Sequence, residues 1–523
     1  MENLEVIDVD TMLWHAGDFG RFQFILIMLF SVINAFSAFH YFGQTFISLE
    51  PEHRCIVENN EGIATSCGVS FANGTVEPCS QWEYNSSYGY ISLVQELDWV
   101  CGDYWKSSVG QSVFFGGSLI GSLLLGILAD RIGRVHVLVI ANLLAFLGNF
   151  CTIFVEEAVS YSIIRFIAGC ASDTNFVMMY MIVMEYLRPS MRTMGLNLTI
   201  GIFYCISSIL VPWIAVLCGN WRNFLLVISM PHLVVGFFYF LVPESAQWLI
   251  SRGKFAEAMK CFQRIAKTNK RQIPDKAIQG LKLYATENIK EGAKNESFFG
   301  LLKTPKLRRK TIILIFKSMV LNLCYDAIAR NVNGLGLSPF IIFSATSVTI
   351  LPGCLVILLL QDRIGRKALA SSSLFLGGII ISIAGIILAS FDSPSLTLIL
   401  TVIARLNVVV AYNSGSQYAF ELIPTVVRAQ GVSVVHVAGF AATFFSPQIL
   451  YLSTFWKPLP EIVLGILLLM CAVLCLFLPE TFNKTLPVTL QDGENFGENE
   501  DMFKYCCCFK KDITESTIVL NEA

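Results

Sequence analysis

About twelve apolar runs, each long enough to cross a hydrocarbon core of ~30 Å, set the terms on which this chain can fold. They lie near 22–43, 107–128, 135–155, 160–182, 194–218, 222–242, 311–330, 338–361, 368–390, 395–416, 430–452 and 459–478. Within lipid no water is present to satisfy a free N–H or C=O, so only helices and closed barrels can span. The two-residue alternation over ~10-residue segments that marks a membrane barrel is absent. With 54% hydrophobic and only 15% charged residues among 523, a soluble fold of this length is excluded as well. The expected fold is an all-α membrane protein of twelve transmembrane helices.

The chain also repeats itself. Asp130-Arg131-Ile132-Gly133-Arg134 recurs letter for letter at Asp362-Arg363-Ile364-Gly365-Arg366. Glu185, Arg192 and Gly195 are echoed by Glu421, Arg428 and Gly431, Pro243-Glu244-Ser245 by Pro479-Glu480-Thr481, and Arg165 by Arg405. Pairs in one order at nearly one offset make the chain two copies of a six-helix half. Parallel repeats of this kind, related by an axis along the membrane normal, are the plan of a solute carrier. The expected division is an N-terminus 1–21, a first bundle 22–242, a linker 243–310, a second bundle 311–478 and a tail 479–523.

Lysine and arginine crowd alternate loops and so orient the bundle. Sixteen of the 37 lie in 243–310, and 129–134, 183–193, 362–367 and 479–523 are basic too. By the positive-inside rule both termini and the linker are cytoplasmic, and the loop 44–106 is extracellular. The acidic first ~20 residues carry no small-residue cleavage site, so the first run reads as a retained helix rather than a signal peptide. The outer loop holds Cys55, Cys67, Cys79 and Cys101, which in an oxidising compartment point to two disulfides with three possible connectivities. It also holds glycosylation sequons at Asn73 and Asn85; those at Asn197, Asn295 and Asn483 fall in a helix or on the cytoplasmic side. In the linker, 255–266 mixes charged and apolar positions, giving either short amphipathic helices at the membrane face or a solvated connector. The tail reads as mobile. Its Cys506-Cys507-Cys508, beside Lys504, Lys510 and Lys511, is either a palmitoylation site or three unmodified thiols.

The duplicated loop is short enough to force a tight hairpin, which glycine lets close. Asp130 and Asp362 can accept hydrogen bonds from N–H groups at a neighbouring helix N-terminus. Arg131, Arg134, Arg363 and Arg366 can bind carboxylates or last-turn carbonyls across the seam between the halves. Charged latches of this kind break and re-form cheaply, which suits two half-bundles that rock.

These residues resemble the major facilitator superfamily. Further text narrows the resemblance: Gly17-Asp18-Phe19-Gly20-Arg21-Phe22-Gln23, Cys79-x-x-Trp82-Glu83-Tyr84, Leu97-Asp98-Trp99-Val100-Cys101, Pro243-Glu244-Ser245-x-x-Trp248-Leu249, Leu302-Lys303-Thr304-Pro305-Lys306-Leu307-Arg308 and Glu421-Leu-Ile-Pro424-Thr425-Val-Val-Arg428. From about residue 17 to 490 the chain is similar to the organic cation/anion/carnitine transporter family, solute carrier family 22. The resemblance implies two pseudo-symmetric bundles that move small organic ions across the plasma membrane by alternating access. Their pocket would lie near the midplane, lined by helices 1, 4, 7 and 10. It also places Phe440 where cation carriers have Asp and anion or carnitine carriers have Arg. Ile350 falls where cation carriers have Glu. Asp173 stands in place of their Lys, and Asp326 in place of a small or amide side chain.

Ionisable groups inside a membrane cost ~2.5–3.5 kcal/mol each at a helix centre and mark pathways by default. Here they are Arg165, Asp173, Lys317, Asp326, Arg330 and Arg405. One reading sets Asp173 or Asp326 opposite an organic ammonium, with Phe176, Tyr325, Tyr412 and Phe440 offering π faces and Arg330 and Asn413 beside them. The other makes them structural. Asp326 and Arg330, spaced i, i+4, can neutralise each other, and Asp173 can pair with Arg165 or Arg405. As members of the repeat, Arg165 and Arg405 read as structural, together with Glu185, Arg192, Glu421 and Arg428. Lys317 is placed to snorkel to the interface. His40, His232 and His436 are packed polar groups or proton relays. The chain shows no phosphate-binding glycine loop, nucleotide-binding domain or metal-ligand spacing, so no enzyme, ATP-driven pump, cofactor or nucleic-acid partner is expected. What remains is a carrier for organic cations or zwitterions. The alternatives are an anion carrier using Arg330 or Arg405, and a non-transporting sensor or scaffold.

Overall fold

A computed structural model describes residues 7–17, 20–57, 62–71, 75–187, 200–291, 298–332, 337–391, 393–424, 427–482, 484, 487 and 489–498. Among the described residues, twelve helices are long and apolar enough to cross a membrane: α1 Arg21–Ile47, α2 Cys101–Ile132, α3 Arg134–Thr152, α4 Ala158–Tyr186, α5 Gly201–Cys218, α6 Trp221–Leu241, α7 Pro305–Arg330, α8 Pro339–Gln361, α9 Arg366–Ser390, α10 Pro394–Leu422, α11 Gln430–Thr454 and α12 Leu459–Leu476. Proline opens α7, α8 and α10, where its missing N–H needs no partner. Within α6, Pro231 cannot donate to the ladder, and a 3₁₀ turn follows at Val235–Phe237. Helices α1–α6 form one half and α7–α12 the other. They meet where α5 packs on α8 and α2 on α11.

The connection between α1 and α2 folds as two small antiparallel sheets. Strand β1 (Glu52–Cys55) pairs with β5 (Trp82–Asn85), while β2 (Gly62–Ala64), β3 (Gly68–Phe71) and β4 (Val76–Pro78) form the second sheet. Of the three possible connectivities, the disulfides are Cys55–Cys79 and Cys67–Cys101. Glu96 anchors this subdomain to the first half by accepting from Trp221 Nε1 at 2.6 Å and from Arg222 Nε at 2.9 Å. Asn85 is exposed on β5. Asn73 lies outside the described residues.

The linker is not a solvated connector: it folds into short helices, of which Phe255–Thr268 is amphipathic, as one of the two readings expected. Helix Phe255–Thr268 buries Met259, Phe262 and Ile265 in one cluster with Met12, Leu13 and Ala16 of helix Val9–Gly17. Asn269 then ties the linker to the start of α1. Its Oδ1 accepts the Phe22 N–H at 2.9 Å, and its Nδ2 donates to the Gly17 carbonyl and to Gln23 Oε1, each at 3.0 Å. The tail also differs from the mobile segment expected, up to residue 498. Helix Leu490–Asn495 docks because the first N–H groups of α7 have no partner within the helix. Glu494 supplies one, accepting from Lys306 N–H at 3.0 Å and Leu307 N–H at 2.6 Å. Cys506, Cys507 and Cys508 lie outside the described residues.

Candidate substrate site

The repeated loops build two matching latches. Gly133 and Gly365 adopt φ of +108° and +98°, and a Cβ at either would collide with the carboxylate of Glu244 or Glu480. Those carboxylates cap the helix that follows. Glu244 accepts from the N–H groups of Arg134 (2.9 Å) and Val135 (3.2 Å), and Glu480 from Arg366 (3.0 Å) and Lys367 (3.1 Å). The Arg134 guanidinium meets Glu185 at 3.1 Å, and Arg366 meets Glu421 at 3.3 Å. These partners lie in the same half as their arginines, not across the seam where carboxylate partners were expected. Nor does Asp130 cap a helix. Its side chain is exposed and 4.0 Å from Arg134, while its backbone carbonyl accepts from Trp248 Nε1 at 2.9 Å. Arg131 and Arg363 are exposed. Arg428 donates to the Ile423 carbonyl at 3.1 Å and covers the Phe420 ring. Arg192 and the side chain of Asp362 lie outside what is described.

Asp326 and Arg330 face the closed seam rather than a cavity. Arg330 Nε donates to both Asp326 oxygens, at 2.8 and 3.0 Å, and the two side chains are 1% and 0% exposed. The first half completes the cluster. Tyr41 OH donates to Asp326 at 2.7 Å, while Arg330 donates to Thr45 Oγ1 at 3.0 Å and to the Tyr41 carbonyl at 2.8 Å. Around it, Phe46 stacks on Phe340 with ring centres 5.4 Å apart, and Phe42 meets Phe343 edge-on. Both halves thus contribute to one lock at the end that carries the β-subdomain.

Within the second half, α7, α10 and α11 enclose a cavity of about 70 Å³ lined by Lys317, Asn322, Tyr412 and His436, among others. Helix α4 is interrupted at Ala171, which puts Asp173 in the first turn of the continuing segment. A carboxylate is favoured there by the helix dipole. Asp173 lies within electrostatic reach of His436 and Tyr412. It is half-buried and makes no ion pair or hydrogen bond among the described residues. The Phe440 ring lies 4.7 Å from that of His436.

The other candidates are already committed. Arg165 pairs with amides rather than with Asp173: it donates to Asn149 Oδ1 at 2.6 Å and Gln44 Oε1 at 3.2 Å. Arg405 donates to the Tyr325 carbonyl and lies 4.0 Å over the Tyr325 ring, so it covers a π face expected to meet substrate. Phe176 stacks on Tyr180 within the first half, and Asn413 Nδ2 donates to the Val409 carbonyl at 3.1 Å. His40 is held between Ala168 and Asn149, and His232 meets Asn142 at 2.9 Å; both are packed polar groups. Lys317 does not snorkel: it is 2% exposed. The reading from sequence missed Tyr41, Asn322 and the position of His436, because each acquires its role from a helix distant in the chain.

Residues 60–489 match the family described as sugar (and other) transporter. The chain is 28% identical to an organic cation transporter protein of Drosophila melanogaster, over 94% of this chain and 95% of that one. It is 25% identical to solute carrier family 22 member 21 of Mus musculus, over 93% of each. Among solved structures, the inward open conformation of the xylose transporter XylE from E. coli superposes with a TM-score of 0.62 at 15% identity, covering 90% of this chain and 99% of that one. At that identity the likeness bears on the fold alone. With twelve spans and two latched halves, the chain belongs to the sugar (and other) transporter family and is a membrane transporter rather than an enzyme.

Proposed function

We propose that this protein is a plasma-membrane secondary transporter that moves small organic cations or zwitterions by alternating access. The observation that carries this reading is Asp173, a half-buried carboxylate of the first half without a partner among the described residues, within electrostatic reach of Tyr412 and His436, which line a cavity in the second half. A carboxylate attracts an ammonium from several ångströms away, and the rings of Tyr412 and Phe440 add ~0.5–2 kcal/mol each where water is excluded. Neither force is strongly directional, so the site tolerates many shapes. The relatives named for organic cations support the same substrate class. Arg330 and Arg405, the cations an anion carrier was expected to use, are both engaged elsewhere.

In this reading both termini and the linker are cytoplasmic and the β-subdomain is extracellular, glycosylated at Asn73 and Asn85. Palmitoyl chains on Cys506, Cys507 and Cys508 hold the tail to the bilayer. The lock of Tyr41, Asp326 and Arg330 closes the outer end while the cavity is reached from inside. Opening it exposes Asp173 to the other face. The membrane potential supplies the drive, since a monovalent cation gains about 1.4 kcal/mol at −60 mV, enough for roughly tenfold accumulation.

The test is uptake of radiolabelled tetraethylammonium by cells expressing the wild type or Asp173→Asn at matched surface level. The substitution keeps size and deletes charge, so apparent affinity should fall ~5- to 150-fold, or ~1–3 kcal/mol. Unchanged uptake of this and other cationic probes by Asp173→Asn would remove Asp173 from the site.

A further inference from the structure

Lys317 is a charge buried inside the second half. It sits in the middle of α7, 2% exposed, with its ammonium 4.8 Å from the centre of the Tyr418 ring. Its Nζ has no hydrogen-bond partner among the described residues, yet it lines the cavity that Tyr412 and His436 also line. The local sequence makes room for the charge. A Cβ on Gly415 would meet Lys317 Cε and Nζ at 3.0 and 3.1 Å, so glycine lets α10 pass close while the ammonium keeps its place. The polar groups that α12 turns toward it are the thiols of Cys471 and Cys475, which are not counter-ions of the strength of a carboxylate. A membrane-buried ammonium normally pairs with an acid or with backbone carbonyls, or reaches the interface. Lys317 does none of these.

We propose that Lys317 is a carboxylate-binding pole of the substrate site, and that the preferred ligand is a zwitterion with its ammonium toward Asp173 and its carboxylate on Lys317. This rests on the proposed carrier function and deepens it. A cavity of about 70 Å³ at Lys317 accommodates a carboxylate-sized group. Asn322, one turn along α7, presents its amide at the same wall and already donates to the Ser318 carbonyl at 2.9 Å. The two poles lie on different halves, Asp173 on α4 and Lys317 on α7. A ligand that touches both therefore couples the halves, whereas a simple cation engages only one.

Choline and glycine betaine make a matched pair of probes, sharing a trimethylammonium and differing in the carboxylate. In cells expressing the full chain, Lys317→Gln should lower the apparent affinity for glycine betaine by about tenfold or more and leave choline within about twofold. Lys317→Arg should retain betaine uptake, and Asp173→Asn should weaken both probes. If Lys317→Gln fails to reach the surface, Gly415→Ala takes its place, since the added methyl displaces the ammonium without removing its charge; the same split is expected. Equal losses for both probes, or unchanged betaine affinity in Lys317→Gln, would overturn the assignment. A wild-type carrier that takes up choline but not betaine sinks the inference and leaves the cation-carrier reading intact. Uptake of neither, with no shift in the unfolding temperature of purified protein by either, sinks both.

Discussion

Removing either charged member of the Tyr41, Asp326 and Arg330 cluster leaves the other buried with no opposite charge. Asp326→Asn strands the Arg330 guanidinium at a site where its side chain is 1% exposed. Losing one partner of a buried pair costs about 3–5 kcal/mol, whereas replacing both by apolar groups of similar volume is often close to neutral. Thermal unfolding of purified protein should therefore show a large loss for Asp326→Asn and a substantial recovery in the Asp326→Leu, Arg330→Met double variant. A double variant no more stable than the single would show that the pair does not act as a unit. The i, i+4 spacing made the pairing of Asp326 with Arg330 legible in the sequence. Tyr41 and Thr45 were not, because they reach the pair from the other half, 285 residues away in the chain. Asp173 was legible as an intramembrane charge. That it would be left unpaired was not, since Arg165 had an acid as a conceivable partner and took amides instead.

At the scale of elements, the duplicated motif was plain but its chemistry was misassigned. The carboxylate that caps α3 comes from Glu244, more than a hundred residues downstream of the loop, and not from Asp130 within it. Charge and spacing alone could not tell these two acids apart. Gly133→Ala or Gly365→Ala forces a side chain into a left-handed backbone and against the capping carboxylate, costing about 1–3 kcal/mol. Surface expression should fall for either substitution and stay normal for Gly126→Ala, where a Cβ meets open space. In the β-subdomain, each disulfide removed should cost about 2–5 kcal/mol. A four-fold Cys→Ser variant of Cys55, Cys67, Cys79 and Cys101 with normal surface delivery would contradict that. The five strands there were not read from sequence, being three or four residues long with no sustained alternation. Glu50 lies beneath this subdomain, lining a cavity of about 950 Å³ shared with the second half. Burial pushes its carboxyl from the ordinary 4.5 up to about 7. The folded chain thus holds a proton that the unfolded chain releases above 4.5. The associated stability is complete below that pH and is lost as pH rises through 7. Unfolding temperature should decline from pH 5 to 7.5 in the wild type and less steeply in Glu50→Gln; parallel slopes would rule the group out.

The whole molecule was the most legible level. Twelve apolar runs and one internal repeat define two six-helix halves because lipid leaves a chain few other ways to satisfy its backbone. The contacts across the seam between the halves were the least legible, since each joins helices remote in sequence. In the proposed mechanism these halves take turns opening one cation site, locked at the β-subdomain end by Tyr41, Asp326 and Arg330. Counterflow in proteoliposomes tests it most directly. Vesicles preloaded with unlabelled tetraethylammonium are diluted into a trace of the labelled cation, with no ion gradient and no membrane potential. An alternating-access carrier transiently concentrates label, because loaded halves reorient in both directions while few return empty. The wild type should show this overshoot, Asp173→Asn should show less of it at low substrate, and the rate should saturate with rising external cation. Label that only equilibrates without overshoot, at a rate linear in concentration, in vesicles holding correctly folded protein, would contradict it.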